Sequence, residues 1–260
     1  MKPSIIAVAV VMLLGAGPAW GASDSDALQR YKDCTALSAR DAKAAFDAAL
    51  AWRNQNGGAP AWHCVGLSLV ALGHHAEAAE VFERIAEDMA RDNPPDETFQ
   101  GRATLRADLL GQAGQAWLQA DNPKRARVAL DNGLALDPNN PELLVDRAQA
   151  QAALGAYWEA VDDLNLAIEY APSRSDAYAF RAAAYRYLEI LDLAADDVER
   201  ALALAPDDPV ALLERGNIRR LGGDDAGARA DWLRILTESP ESPAASAAQA
   251  NIVRLDVKQE

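Results

Sequence analysis

The sequence holds few of the residues that usually carry catalysis. Among its 260 residues there are 3 histidines and 2 cysteines. It has no Cys-x-x-Cys pair, no glycine-rich phosphate loop and no Gly-x-Ser-x-Gly turn, so the common motifs for redox chemistry, nucleotide binding and acyl transfer are missing. We therefore expect a protein that is not an enzyme and that carries no cofactor.

The three histidines do not form a metal-binding pattern. His63 falls in a predicted helix, whereas His74 and His75 are neighbours on a predicted turn and point in different directions. A zinc site needs several ligands that converge on one point. We predict no metal site, and we keep as an alternative a metal-binding or redox protein that uses His63, His74, Cys34 or Cys64.

Basic residues are outnumbered by acidic ones. Lys and Arg number 25 and Asp and Glu number 39, so the formal net charge is -14. This charge opposes association with phosphate backbones. We expect no nucleic acid partner.

The chain begins with a targeting pattern whose apolar run is short. Lys2 precedes an apolar run of 12 residues, 5–16, and the small residues Ala19 and Gly21 match a signal-peptide cleavage site. The run falls short of the roughly 20 apolar residues that span a bilayer. We therefore predict a signal peptide over residues 1–21 and an exported, periplasmic protein without a stable membrane anchor.

Several residue types recur with a period of 34 residues. Prolines stand at this spacing at Pro138, Pro172, Pro206 and Pro240. Three further columns keep the same step: Ala126, Ala160, Ala194 and Ala228; Leu130, Leu164, Val198 and Trp232; Gly114, Ala148, Ala182 and Gly216. Such a period, with small residues where helices approach and a proline that closes each unit, predicts stacked helix–turn–helix repeats. The pattern resembles the tetratricopeptide repeat family.

The resemblance implies an all-α, right-handed superhelical solenoid. It divides the chain into a signal peptide (1–21), a degenerate repeat (22–58), a complete repeat plus insertion (59–106), four tandem repeats (107–242) and a capping helix with a tail (243–260). The insertion contains Pro94 and Pro95, which exclude helix, and it predicts a long helix from about residue 97 to about residue 120. This helix either adapts the packing or forms one wall of a binding groove.

The seventh and twenty-third positions of the repeats carry matching residue types. They hold charged pairs in three repeats: Arg147 with Asp163, Arg181 with Asp197, and Arg215 with Asp231. Two earlier repeats hold apolar pairs instead: Ala113 with Ala129, and Val65 with Val81. Because charge accompanies charge, we predict contact between the two positions and a structural ion pair in each charged case.

The resemblance also implies that ligands lie along the concave face formed by the first helices. At the implied positions this sequence has Gln115, Gln149, Arg186, Tyr187, Asn217 and Arg220. Two arginines on an acidic molecule are suited to orienting an acidic segment or a chain-terminal carboxylate.

Some members of the family hold a terminal carboxylate with lysines at the fifth position and asparagines at the ninth. Here Ala179 and Leu213 replace such lysines, and only Asn217 matches. We therefore do not expect that particular clamp.

The sequence has an even number of cysteines, Cys34 and Cys64. Because the chain is predicted to be exported, this suggests that they form a disulfide. We place them on the first helices of adjacent repeats, where a bond would attach the degenerate repeat to its neighbour. Closing a loop of this size is worth roughly 3 kcal/mol.

The resemblance implies a non-catalytic scaffold or adaptor that holds a protein segment in its groove. A second hypothesis is a structural oligomer of the cell envelope that assembles from copies of this chain through exposed end helices. The partner itself is not encoded in any recognisable motif.

Overall fold

A computed structural model describes residues 22–91 and 99–257. Every regular element in these two ranges is a helix, which confirms the predicted all-α class of helix–turn–helix repeats. The predicted signal peptide (1–21), the prolines of the insertion and the last three residues lie outside the described ranges. None of the described helices combines the length and the apolar character that a bilayer crossing requires.

The chain divides into two compact units. The N-terminal unit, which ends at Pro138, contains α1 (Ala22–Ser38), α2 (Ala42–Asn54), α3 (Gly58–Ala71), α4 (His75–Arg91), α5 (Phe99–Gln119) and α6 (Pro123–Leu136). The C-terminal unit, which starts at Asn139, contains α7 (Pro141–Ala153), α8 (Tyr157–Tyr170), α9 (Ser175–Tyr187), α10 (Leu191–Leu204), α11 (Pro209–Leu221), α12 (Asp225–Glu238) and α13 (Pro243–Val257).

Local sequence sets the helix boundaries. Asn140 and Asp208 cap α7 and α11 by accepting backbone N–H bonds with their side chains, and a proline follows each cap. The turn inside each complete repeat contains one residue with a positive φ, at the same repeat position throughout: Gly73, Asp121, Gly155, Glu189 and Gly223. This residue reverses the chain between the two helices of the repeat.

The long helix predicted after the insertion is α5, which has 21 residues where α7, α9 and α11 have 13. It contacts both α4 and α6. The predicted capping helix is α13, which packs against α11 and α12.

Two of the recurring columns are in direct contact. A Cβ added at Gly216 would lie 2.4 Å from Trp232 Nε1, and one added at Gly114 would lie 2.5 Å from Leu130 Cγ. A Cβ added at Gly66 would likewise collide with the ring of Phe82. The small residue of the first helix therefore makes room for the large residue of the second.

The three predicted ion pairs form within their repeats. Arg147 Nε and Nη2 donate to the two carboxylate oxygens of Asp163 at 2.7 and 2.6 Å, and the other two pairs repeat this two-pronged geometry. The aspartates are buried. Arg181 also donates from Nη1 to Asn165 Oδ1 at 2.6 Å, so it joins its own repeat to the preceding one.

In the N-terminal unit, α1 is attached to α3 by polar and covalent contacts as well as by the packing of Tyr31 with Ala61. Cys34 and Cys64 form the disulfide, with their Cα atoms 6.3 Å apart. The hydroxyl oxygens of Ser38 and Ser68 lie 3.1 Å apart, one turn further along α1.

A buried histidine extends this attachment to α5. His63 Nε2 donates to Gln112 Oε1 at 2.8 Å, so its Nδ1 accepts from the Tyr31 hydroxyl at 2.6 Å. Burial lowers the pKa of His63 from 6.5 to about 4, although the bond to Gln112 opposes the change. Burial also raises the pKa of Tyr31. His63 is therefore a neutral bridge between α1 and α5.

Removing only one partner of an ion pair should destabilise the protein. D197A leaves the Arg181 guanidinium, 18% exposed, without its carboxylate, which we expect to cost about 3 kcal/mol of unfolding free energy. R181V/D197V copies the apolar pair Val65 and Val81, and it should recover most of the loss. Urea unfolding followed by circular dichroism measures both. A double variant no more stable than D197A would contradict a paired, partly buried seam.

The His63 network should make stability depend on pH. The unfolded chain binds a proton at His63 below its ordinary pKa, whereas the folded chain resists it, so stability falls as the pH drops from 6.5 to about 4. The loss attributable to this residue is about 3 kcal/mol. Urea unfolding of the wild type and of H63Q at a series of pH values isolates it, because all other titrating groups are shared. Equal slopes in the two proteins would contradict a buried, neutral His63.

Candidate functional site

The first helices of the C-terminal unit carry five of the six residues predicted to bind a partner. Gln149 lies on α7, Arg186 and Tyr187 end α9, and Asn217 and Arg220 lie on α11. Gln149 is partly buried and donates to Asp146 Oδ1 at 3.4 Å. The sixth residue, Gln115, lies partly buried on α5 of the N-terminal unit.

Arg186 is not available to a partner in the way the sequence suggested. Its Nε and Nη2 donate to Glu214 Oε2 and Oε1 at 2.6 and 3.3 Å, and the two side chains are only 15% and 9% exposed. Burial alone would lower the pKa of Arg186, but the hydrogen bond and charge of Glu214 outweigh it and raise the pKa overall. The expectation of two available arginines is therefore corrected to one.

Tyr187 is the most exposed aromatic side chain of this face, at 55%. Its ring stacks on Tyr157, with 4.7 Å between the centroids and 4° between the planes. The Arg186 guanidinium lies 4.3 Å from the Tyr187 ring centroid. The ring is thus held in place while much of its surface stays open. Sequence reasoning missed Tyr157 because it begins a second helix, outside the positions that the family implies for ligands.

Asn217 is engaged on both sides of its amide. Its Nδ2 donates to Glu214 Oε1 at 3.2 Å, and its Oδ1 accepts from Asn251 Nδ2 at 2.9 Å. The chain Arg186–Glu214–Asn217–Asn251 therefore links α9, α11 and α13. Glu214 and Asn251 were not identified from the sequence. One sequence feature could have identified Glu214: it is an acidic residue on the face of its helix that is expected to be buried.

Arg220 is partly exposed, and its side chain forms no ion pair or hydrogen bond within the described ranges. Leu221 beside it is 47% exposed. Together with Tyr187, these residues offer an aromatic surface, an aliphatic surface and one cation. This combination can hold an extended or helical segment, and it includes no nucleophile or general base.

A separate concavity lies in the N-terminal unit. It is a groove of about 910 Å³ between α4, α5 and α6. Ala86, Leu110 and Val128 form apolar parts of its wall, and Arg106 and Lys124 add positive charge. α5 lines this groove together with the second helices α4 and α6, so the groove is not the first-helix surface to which the prediction of a groove wall referred, and that prediction stays open.

The residues considered for metal or redox chemistry are used otherwise. Both ring nitrogens of His63 are bonded, His74 Nδ1 lies 2.8 Å from Glu77, and the two cysteines are joined. Within residues 22–91 and 99–257, no three His, Cys, Asp or Glu residues are grouped to hold a metal ion.

Comparison with known proteins agrees with this architecture. A family model described as tetratricopeptide repeat matches residues 113–185. RNA polymerase II-associated protein 3 of Mus musculus is 31% identical over 139 residues, which cover 52% of this chain and 21% of that protein. The chain spans between 11% and 29% of the length of this and four further curated relatives.

Two solved structures add to the comparison. The first TPR of Spaghetti is 31% identical, with 46% of this chain and 95% of that chain covered and a TM-score of 0.44. A thermophilic TPR protein of Thermus thermophilus is 20% identical, with 75% and 100% covered and a TM-score of 0.60, and it shares the fold. The repeat period, the helical hairpins and the family-model match agree, and the chain belongs to the tetratricopeptide repeat family.

Proposed function

We propose that this chain is a non-catalytic interaction scaffold that holds a peptide segment on the first-helix face of its C-terminal unit. The observation that carries the proposal is the open surface of Tyr187 and Leu221 next to Arg220, which has no partner of its own within the described residues. Repeats of this family generally serve as interaction modules and not as enzymes.

A relative supports binding of a peptide. The first TPR of Spaghetti, 31% identical to this chain, is bound to the HSP90 peptide SRMEEVD. Our chain differs from the lysine-and-asparagine clamp at the positions that matter, because Ala179 is buried and Asn217 is bonded internally. We therefore expect a peptide of a different kind, held by fewer charges.

The proposed setting is the periplasm. The segment 1–21 has the pattern of a cleavable signal peptide. The disulfide between Cys34 and Cys64 is of the kind that persists in oxidising compartments. Both observations support export, and a fusion of residues 1–21 to a reporter active only outside the cytoplasm tests it.

Self-assembly is the second candidate function, because large apolar side chains are also exposed on the second helices of the C-terminal unit. Trp158 is 56% exposed, and Tyr170, Leu193 and Leu233 are between 44% and 47% exposed. Exposed apolar side chains of this size suit contact between copies of the chain where they lie together. Self-assembly predicts a molar mass that rises with concentration.

A display selection with random dodecapeptides tests the scaffold proposal. Peptides retained by the protein should bind Y187A/L221A about tenfold more weakly, because the variant removes the apolar surface. W158A, on the opposite helix layer, is the matched control and should bind normally. Loss with W158A alone would move the site to the second helices. Failure to retain any peptide, with a mass that rises with concentration in light scattering, would favour self-assembly.

A further inference from the structure

Arginine recurs at the twelfth position of the last repeats, but its acidic partner does not. Arg186, Arg220 and Arg254 follow each other at intervals of 34 residues. Arg186 bonds to Glu214, which lies 28 residues ahead. The residue in the same relation to Arg220 is Ala248. Arg220 therefore repeats the position of Arg186 without the carboxylate that completes it.

Ala248 is equivalent to Glu214 only if α13 continues the register of the repeats. The bond between Asn217 and Asn251 shows that it does, because these residues are 34 positions apart and meet across α11 and α13. Ala248 is fully buried in the same core cluster as Trp232. α13 therefore stands toward α11 as α11 stands toward α9.

The polar groups around the missing acid are also repeated. Asn217 Nδ2 donates to the Glu214 carboxylate. Its equivalent, Asn251, uses one N–H of its amide for Asn217, and an amide nitrogen carries a second. Arg220 and Asn251 thus correspond, one repeat further on, to the two donors that hold Glu214.

We propose that Arg220 and Asn251 bind a carboxylate of the peptide partner, at the place in the last repeat that Glu214 fills in the preceding one. This inference rests on the proposed function, since it names the chemistry that the same face recognises. The guanidinium supplies two parallel N–H donors and the amide supplies a third, an arrangement that matches the two oxygens of a carboxylate.

The surroundings favour a single acidic group with an apolar neighbour. Leu221, the residue after Arg220 in α11, is 47% exposed, so apolar surface is available on the same helix as one of the two donors. A protein of net charge -14 would repel a highly acidic segment. The carboxylate belongs either to an Asp or Glu side chain or to a chain terminus, and both present the same two oxygens.

Three dodecapeptide libraries distinguish the possible outcomes. One has free C-termini and lacks Asp and Glu, one is amidated and contains Asp and Glu, and one is amidated and lacks both. The full-length protein should retain the first or the second library, and that result identifies the source of the carboxylate. R220Q should bind the retained peptides about tenfold more weakly. R200Q removes an equal charge from an exposed residue of α10 and should bind normally.

A248E supplies the missing acid from within the chain. The new carboxylate should pair with Arg220, so A248E should no longer retain the peptides. S246E adds the same charge at an exposed position of α13 and should retain them as the wild type does. If A248E fails to fold, the comparison of R220Q with R200Q decides. Equal retention of the acid-free amidated library would overturn the carboxylate inference while leaving the scaffold intact. Retention of no library would overturn both proposals.

Discussion

The two helices of each repeat pack closely because the first helix carries a small residue where the second carries a large one. Gly216 lies so close to Trp232 that even a methyl group would collide with the indole. Alanine stands at the equivalent positions Ala148 and Ala182, opposite Leu164 and Val198, whereas glycine stands opposite Leu130 and Phe82 as well as Trp232. The hairpin geometry, the cores of both units and the exposed inner face all depend on this close approach.

The fold was predictable because the same helix–turn–helix pattern recurs several times in the sequence. The small-residue and large-residue columns report one contact and the charged positions report another, so the period and the ion pairs support one another. The pairing of Arg181 with Asp197 was visible because other repeats change both positions together. Contacts that occur once have no such support. The bond between Arg186 and Glu214 joins two different repeats, and the family's ligand positions do not include Glu214.

The candidate site was likewise predictable in part. Its residues were found at the implied positions, but their availability depends on neighbours that only the structure brings together. Arg186 and Asn217 turned out to hold the scaffold together, while Tyr187 and Arg220 kept exposed surface. A polar residue at a binding position is therefore a candidate only after its internal partners are known.

The disulfide changes how firmly α1 is held against α3. Of residues 25–38, only Tyr31 and Cys34 are buried, so α1 has little apolar surface with which to hold α3. A helix held by so few buried residues is expected to open more easily than the helices at the centre of a unit. The covalent bond keeps α1 at high local concentration beside α3, so each opening is followed by rapid reclosure. The disulfide therefore supports the association of a helix that buries few side chains.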